Sequence, residues 1–337
     1  MRLCVGTSKG IIILDPARGS TPLMVLADPS PVWCMAQDCA DPACIYAASN
    51  DTVAHARTVF ARSLDAGRSW AEMTPQSARE EEIWAMSASP QVSGQLFIGT
   101  SHGRLLRSVD RGRSFVELTG FLKVPGRDRW SFPPPPHIPH VRSIAFDPIH
   151  PGLMYVGVEE GGVFCSHDAG QTFEARNHGL YDDVHSVVVD PRDQRRLYAT
   201  TGRGFYLSTN AGGTWKHITA GFNRSYTVPL LVIGNERPAI FTVAAATPPP
   251  MWRVGARGAD SVMFRSDDAG ESFNAIERGA TEQRGMVMRF REAPGTDGEF
   301  FGVADDGSVL CGHADGESHL DIIAEKLPPA YDLVVIP

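Results

Sequence analysis

Five near-copies of one eight-residue phrase run along this 337-residue chain. They are Ser63-Leu-Asp65-Ala-Gly67-Arg-Ser69-Trp70, Ser108-Val-Asp110-Arg-Gly112-Arg-Ser114-Phe115, Ser166-His-Asp168-Ala-Gly170-Gln-Thr172-Phe173, Ser208-Thr-Asn210-Ala-Gly212-Gly-Thr214-Trp215 and Ser266-Asp-Asp268-Ala-Gly270-Glu-Ser272-Phe273. The form S-x-D-x-G-x-[ST]-[FW] returns every roughly 42 to 58 residues, which marks a repeat architecture. Each copy sits where one short β-run ends and the next begins, so it reads as a hairpin turn. The Asp accepts hydrogen bonds from backbone N–H groups of its own turn. The Gly two residues later takes a backbone angle that a side chain would resist, and the closing aromatic fills the gap between sheets. Asn210 keeps the acceptor geometry of the acid it replaces. Asp65, Asp110, Asp168, Asn210 and Asp268 are therefore read as structural, not as catalytic carboxylates.

Two further phrases repeat in step with the first. Leu3-Cys-Val-Gly-Thr, Ile45-Tyr-Ala-Ala-Ser, Leu96-Phe-Ile-Gly-Thr, Met154-Tyr-Val-Gly-Val, Leu197-Tyr-Ala-Thr-Thr, Ile240-Phe-Thr-Val-Ala and Phe300-Phe-Gly-Val-Ala are β-branched and aromatic runs of strand length. Upstream of them, Val141-Arg-Ser-Ile-Ala-Phe-Asp-Pro148 matches Val184-His-Ser-Val-Val-Val-Asp-Pro191, with weaker copies from Val32, Ile83, Val228 and Gly285. Each unit is strand A, strand B, turn, strand C, phrase, strand D. Seven B strands give an all-β, seven-bladed β-propeller of four-stranded blades, one domain over 1–337. The blades span about 1–25 plus 330–337, 32–75, 83–119, 141–177, 184–220, 228–277 and 285–325. The chain begins at a B strand, and Ala330-Tyr-Asp-Leu-Val-Val-Ile-Pro337 supplies an A-type run with no B strand after it. The C-terminal run is thus expected to pair into the N-terminal blade and close the ring. The missing copies near Asp15 and Asp315 fall in the two blades where the ring is joined.

The repeated phrase resembles the Asp-box, or bacterial neuraminidase repeat, of sialidases, sortilin-type receptors and photosystem assembly factors. The resemblance covers nearly the whole chain and implies a propeller with the boxes on the rim, away from any ligand site. It does not extend to the sialidase catalytic signature. Arg2 is the only early arginine, and no F/Y-R-I-P segment follows it.

The composition is that of a soluble globular chain, 42% hydrophobic and 21% charged, with a formal net charge of −8. The acidic balance argues against nucleic acid as a partner, and no run is apolar and long enough to span a membrane. Cys4, Cys34, Cys39, Cys44, Cys165 and Cys311 lack metal-ligand spacing and read as reduced thiols, with a zinc role for Cys34, Cys39 and Cys44 as the lesser alternative. With no secretion signal in the opening residues, a cytoplasmic location is expected.

In such a ring the A strands line the channel, and the D-to-A and B-to-C connections share one face. The two longest insertions, about 119–139 with Trp130 and Pro133 to Pro136, and about 247–260 with Pro248 to Pro250 and Trp252, fall on that face as proline-stiffened walls. By the alignment, Trp33, Trp84, Arg142, His185, Pro229, Met286 and Tyr331 stand at the heads of the A strands. Around them lie Glu82, His137, His140, Glu159, Glu160, His178, Asp182, Asp183, Arg203, Arg224, Tyr226 and Arg284. Planar rings can stack on a sugar, guanidinium forks can hold a carboxylate, and His can move protons near neutral pH.

Trp33, Trp84, Arg142, Glu159, Arg203 and Arg284 are the candidate ligand-binding residues. His185, Tyr226 and Tyr331 are the candidate acid–base groups. His137, His140 and His185 could hold one divalent metal ion through neutral imidazoles, or each could simply cap a strand end. The expected ligand is small and polar, anionic or sugar-like, with glycoside hydrolase or polysaccharide lyase chemistry open. The alternative is a non-catalytic propeller that offers the same loop-rich face to a protein partner.

Overall fold

The computed structural model describes residues 1–16, 22–26, 31–50, 58–79, 81–234, 238–252, 258–276, 285–314 and 320–337. These form seven four-stranded sheets. The innermost strands of blades 1 to 7 are Ala330–Ile336, Val32–Gln37, Ile83–Ala88, Val141–Phe146, Val184–Val189, Tyr226–Ile233 and Val287–Glu292. Each packs against the next around a closed ring, with blade 7 meeting blade 1 and blade 1 meeting blade 2. The second strands are buried along their whole length in blades 3, 4 and 5 (Leu96–Thr100, Met154–Val158, Leu197–Thr201), because neighbouring blades cover both faces. That double coverage explains why these runs read as continuous apolar stretches instead of alternating ones.

The ring closes as the sequence predicts. The C-terminal strand pairs antiparallel with Arg2–Thr7, from Arg2 opposite Ile336 to Thr7 opposite Ala330. Asp332, only 1% exposed, locks this strand to both neighbouring blades. Its carboxylate accepts from the Met35 N–H of blade 2 at 2.9 Å and from Arg291 Nη2 of blade 7 at 3.1 Å, with Arg289 Nε at 3.4 Å. Arg291 Nε also donates to the Leu333 carbonyl at 3.1 Å. The signal was present in the sequence as charges inside inner-strand runs, Arg-Phe-Arg at 289–291 and Asp332 beside Leu333, but sequence reasoning passed over it.

Each inner strand is irregular near its head. The register skips between Val32 and Cys34, Ile83 and Ala85, Val141 and Ser143, Val184 and Ser186, Thr227 and Leu230, and Val287 and Arg289, and likewise opposite Gly6/Thr7. A bulge leaves one residue out of the ladder and re-aims its side chain. The residues left out are Trp33, Trp84, Arg142, His185, Met288 and Tyr331, which corrects the aligned set at two places. Met286 precedes its strand and is fully buried, so Met288 takes that position. In blade 6 Thr227 pairs with Ala244 as Val184 pairs with Thr201, so Val228 and not Pro229 matches His185. Neither Thr227-Val-Pro-Leu nor Gly285-Met-Val-Met carries a letter that would pin a slip of one or two residues.

The five repeated phrases share one hydrogen-bond pattern. In blade 4, Ser166 Oγ donates to Asp168 Oδ1 at 2.8 Å, and the Gly170 N–H donates to Ser166 Oγ at 2.8 Å. The Thr172 N–H and hydroxyl bind the two oxygens of Asp168 at 2.8 and 2.6 Å. Asn210 reproduces this with its carbonyl accepting from the Thr214 N–H and its amide donating to Thr214 Oγ1 at 3.0 Å. Each phrase also braces the preceding blade. A Cβ on Gly112 would meet Phe60 at 2.7 Å, and one on Gly170 would meet Leu118 at 2.5 Å. Both glycines have positive φ, 76° and 90°, so a side chain there is opposed twice.

Two outcomes follow for stability. Asp168 sits well below the usual carboxylate range, at about 2; burial opposes this and the bonds from Thr172 and Ser166 outweigh it. A depressed carboxylate contributes stability above its unfolded value, and that contribution fades as pH falls toward 2. Asp168→Ala is expected to cost about 1–2 kcal/mol near neutral pH and Asp168→Asn less. The gap between native protein and Asp168→Asn should narrow between about pH 4 and pH 2, as read by chemical denaturation. Asp332→Ala, which strands two arginines and a backbone N–H, should cost about 3–5 kcal/mol in the same assay.

Candidate functional site

The bulges bring the heads of the inner strands together at the end of the ring carrying the D-to-A and B-to-C connections. Those two kinds of connection are tied to each other by the backbone. The N–H groups of Ser101, Glu159, Gly202 and Asp305 donate to the carbonyls of Glu82, His140, Asp183 and Met286. The repeated phrases lie at the other end, where Ala66, Arg111 and Ala169 donate to the A-to-B turns of their own blades.

From blade 1 to blade 4 the opening is lined by one aromatic run. Tyr331 stacks on Trp33 with ring centroids 4.1 Å apart, and Trp33 meets Trp84 at 5.2 Å. Trp84 stacks on His140 at 4.4 Å, with the Arg142 guanidinium 5.6 Å from the Trp84 ring centre. Phe132, from the long loop before blade 4, closes edge-on against His140 at 4.4 Å. Trp33, Trp84 and Tyr331 are half-buried, so this strip covers the inner strands yet keeps part of its surface open.

Beyond Arg142 the lining becomes ionic. Glu159, at the B-to-C turn of blade 4, receives His140 Nε2 at 2.7 Å and lies 3.0 Å from Arg142 Nε. Burial alone would raise the Glu159 carboxyl, but the charges of His140 and Arg142 and the His140 bond hold it at about 2. Its neighbour Glu160 is moved the other way, upward, by burial and by the charges of Asp183, Asp182 and Glu159. Two adjacent carboxyls are thus driven apart, one firmly ionised and the other more easily protonated.

In blade 5, His185 Nδ1–H donates to the Thr227 carbonyl at 2.5 Å, and Nε2 lies 3.3 Å from Asp183 Oδ1. Burial disfavours a charge on this imidazole, but Asp183, then Glu159 and the Thr227 carbonyl, favour it more strongly, and the net direction is upward. Tyr226, the first residue of the blade 6 inner strand, faces His185 at 4.8 Å and Trp252 at 5.9 Å. Burial and the charges of Glu159 and Asp183 push the Tyr226 hydroxyl far up, so near neutral pH it is a donor and not a base.

Of the residues singled out in the sequence, Trp33, Trp84, Arg142, Glu159, His140, His185, Tyr226 and Tyr331 meet at this opening. The three histidines do not converge as metal ligands. His137 is exposed in a left-handed conformation (φ 65°) and bonds its Nδ1 to the Phe132 carbonyl at 2.8 Å, while His140 and His185 are each committed to a different carboxylate. Arg203 is exposed, 4.4 Å over the Tyr181 ring, and lines a cleft of about 670 Å³ with His217, Phe222, Arg224 and Asp260 between blades 5 and 6. Arg284 lies outside the described residues, as does Asp315. Trp130 is 9% exposed and packs on Phe121 and Phe164, so its loop wall is anchored in the core. Among the described residues Cys34, Cys39 and Cys44 form no ligand group.

Chemically, the opening pairs an aromatic strip with guanidinium groups. Arg142 has 20% of its side chain exposed and the channel arginines Arg289 and Arg291 have 30% and 35%. Burial lowers Arg289, with Asp332 opposing that shift and the charges of Arg291 and Arg142 adding to it. Three cations from blades 4 and 7 therefore crowd one channel.

A family model for sortilin, neurotensin receptor 3, matches residues 161–320. No curated protein matches the chain by sequence. Among solved structures, the chain is similar to the Niastella koreensis GH74 enzyme (TM-score 0.71, 16% identity, 96% of this chain and 52% of that one). It is similar in the same way to the GH74 xyloglucanase from Xanthomonas campestris (TM-score 0.68, 14% identity, 96% and 52%). It also resembles YCF48 bound to D1 peptide (TM-score 0.60, 14% identity, 89% and 84%). The chain spans about half the length of the two GH74 structures. At these identities the likeness is one of fold, and it places the chain among the β-propellers.

Replacing Asp183 tests the electrostatics directly. A raised histidine contributes stability that is full below its unfolded value and lost as pH rises through the folded one. In Asp183→Asn the imidazole of His185 should titrate lower than in the native protein, followed by histidine ring signals in NMR.

Proposed function

We propose that the propeller binds a small polar ligand, anionic or sugar-like, at this opening. The observation that carries the reading is the meeting of a half-open Tyr331–Trp33–Trp84 strip with the partly exposed guanidinium of Arg142. Aromatic faces suit the apolar face of a sugar ring, and arginine suits a carboxylate on it. Arg289 and Arg291 deepen the positive side of the same channel. The ionised Glu159 beside the upward-shifted Glu160 supplies a fixed negative charge and a more readily protonated carboxyl, which a hydrolase or lyase can use for charge stabilisation and acid catalysis. His185 is suited to donating a proton more than to abstracting one, since Asp183 stabilises its charged form.

A second reading is a non-catalytic platform for a protein segment, favoured by the likeness to YCF48 bound to D1 peptide over 84% of that chain. The two differ in what they bind. A panel of uronic acids, their oligosaccharides and extended acidic peptides, read by calorimetry, should give its strongest signal with a sugar acid. Trp84→Ala and Arg142→Gln should each weaken that binding at least about tenfold, and Arg203→Ala should leave it unchanged, since about 1.4 kcal/mol corresponds to that factor. Binding of the peptide alone, lost in the same variants, would favour the platform. No binding from either class would end the proposal.

A further inference from the structure

We propose that Glu159, Asp183 and His185 form a binding site for a divalent transition-metal cation, of which Zn²⁺ and Mn²⁺ are the natural probes. One ligand atom from each lies within 4.8 Å of the other two, and all three residues are buried. Backbone of blades 4 and 5 fixes them. Glu159 follows the second strand of blade 4 and donates its N–H to the His140 carbonyl at 3.1 Å. Asp183 accepts the Gly202 N–H through its own carbonyl at 3.0 Å, and His185 stands out of the ladder at the blade 5 bulge.

The imidazole is set for coordination. Its Nδ1–H is spent on the Thr227 carbonyl at 2.5 Å, which in a neutral ring leaves a bare lone pair on Nε2. That is the outer-shell arrangement that orients metal-bound histidines. Nε2 then faces Asp183 Oδ1 at 3.3 Å, and both atoms are buried without a hydrogen-bond partner. Two buried acceptors face to face need a positive centre between or beside them, either a proton on the ring or a cation. Glu159, and Tyr226 across the imidazole, enclose the same space, and Glu160 and Asp182 add negative charge around Asp183. Arg142 opposes a cation but is neutralised by Glu159 at 3.0 Å. One imidazole with two carboxylates suits Zn²⁺, Mn²⁺ or Fe²⁺ and leaves further coordination positions for water or a ligand oxygen.

Two other groups have ligand atoms close together, Cys165–His167–Glu174 and Glu299–Cys311–His313. The first spans the third and fourth strands of blade 4 and the second the second and third strands of blade 7, and neither has an unpartnered buried nitrogen or oxygen ligand atom, so they serve as controls.

The test is calorimetric titration of the chelator-stripped full chain with ZnCl₂ or MnCl₂ alone. One site is expected near neutral pH. It should weaken at least ~tenfold in Asp183→Asn and in His185→Gln, and be retained in a His167→Ala/His313→Ala double variant. Lowering the pH by about two units should weaken it similarly, because the proton takes the same lone pair on Nε2. Asp183→Asn, nearly equal in shape, guards against a folding defect in His185→Gln, and circular dichroism of each variant checks the fold. Absence of a bound ion in the folded protein overturns the site. So does binding that survives Asp183→Asn in a folded chain, or that vanishes in the control variant. The outcome is independent of the sugar-acid panel, which uses a different ligand and different variants.

Discussion

A carboxylate in the channel ties the last strand of this chain to both of its neighbours in the ring. Asp332 belongs to the last strand, yet its oxygens are bound by a backbone N–H of the second blade and by arginines of the seventh. Strand pairing with Arg2–Thr7 alone would attach the C-terminus to one sheet. The carboxylate, with Leu333 and Val335 packed on blade 7 and Val334 and Ile336 on blade 2, attaches it to three. Removing such an ion from a buried network costs more than the pairing contributes, because the charges left behind have no water to turn to. Everything at the opening inherits this closure, since Tyr331 is the residue next to Asp332 and is the first ring of the aromatic strip.

The architecture was legible because each repeated letter does a separate physical task. Asp, Gly and Ser recur where a turn needs an acceptor, a left-handed angle and a donor, and β-branched runs recur where both faces of a strand are covered. Inner-strand heads were legible wherever a polar or aromatic residue interrupted the apolar run, as at Trp33, Trp84, Arg142, His185 and Tyr331. They were not legible in blades 6 and 7, where valine, leucine and methionine follow one another and any register looks alike. The metal trio read from H-x-x-H failed for a different reason. His137 and His140 are close in sequence, but a loop turn points one ring at a carbonyl and the other into the wall. Pairings such as Asp183 with His185 depend on how a bulge re-aims a side chain, which no spacing rule records.

The opening also concentrates groups whose burial is unfavourable in isolation. Glu159, Asp183 and His185 are all nearly excluded from water; Glu159 is held by His140 and Arg142, while His185 Nε2 and Asp183 Oδ1 face each other without a hydrogen-bond partner. A scaffold selected for stability alone gains little from such a cluster, because apolar side chains of similar volume would do as well or better. The cluster stands beside half-open tryptophans, at the end of the ring away from the repeated turns.

The repeated turns lean in one direction. The glycines at 67, 112, 170, 212 and 270 each press on the blade that precedes them, against Ile13, Phe60, Leu118, Arg176 and Tyr198. Contacts that tight leave no slack for an inserted residue on that side of the disc. The opposite side carries both long excursions of the chain, around Trp130 and Trp252. Added length is therefore accommodated on a single surface, while the stack of sheets beneath keeps its spacing.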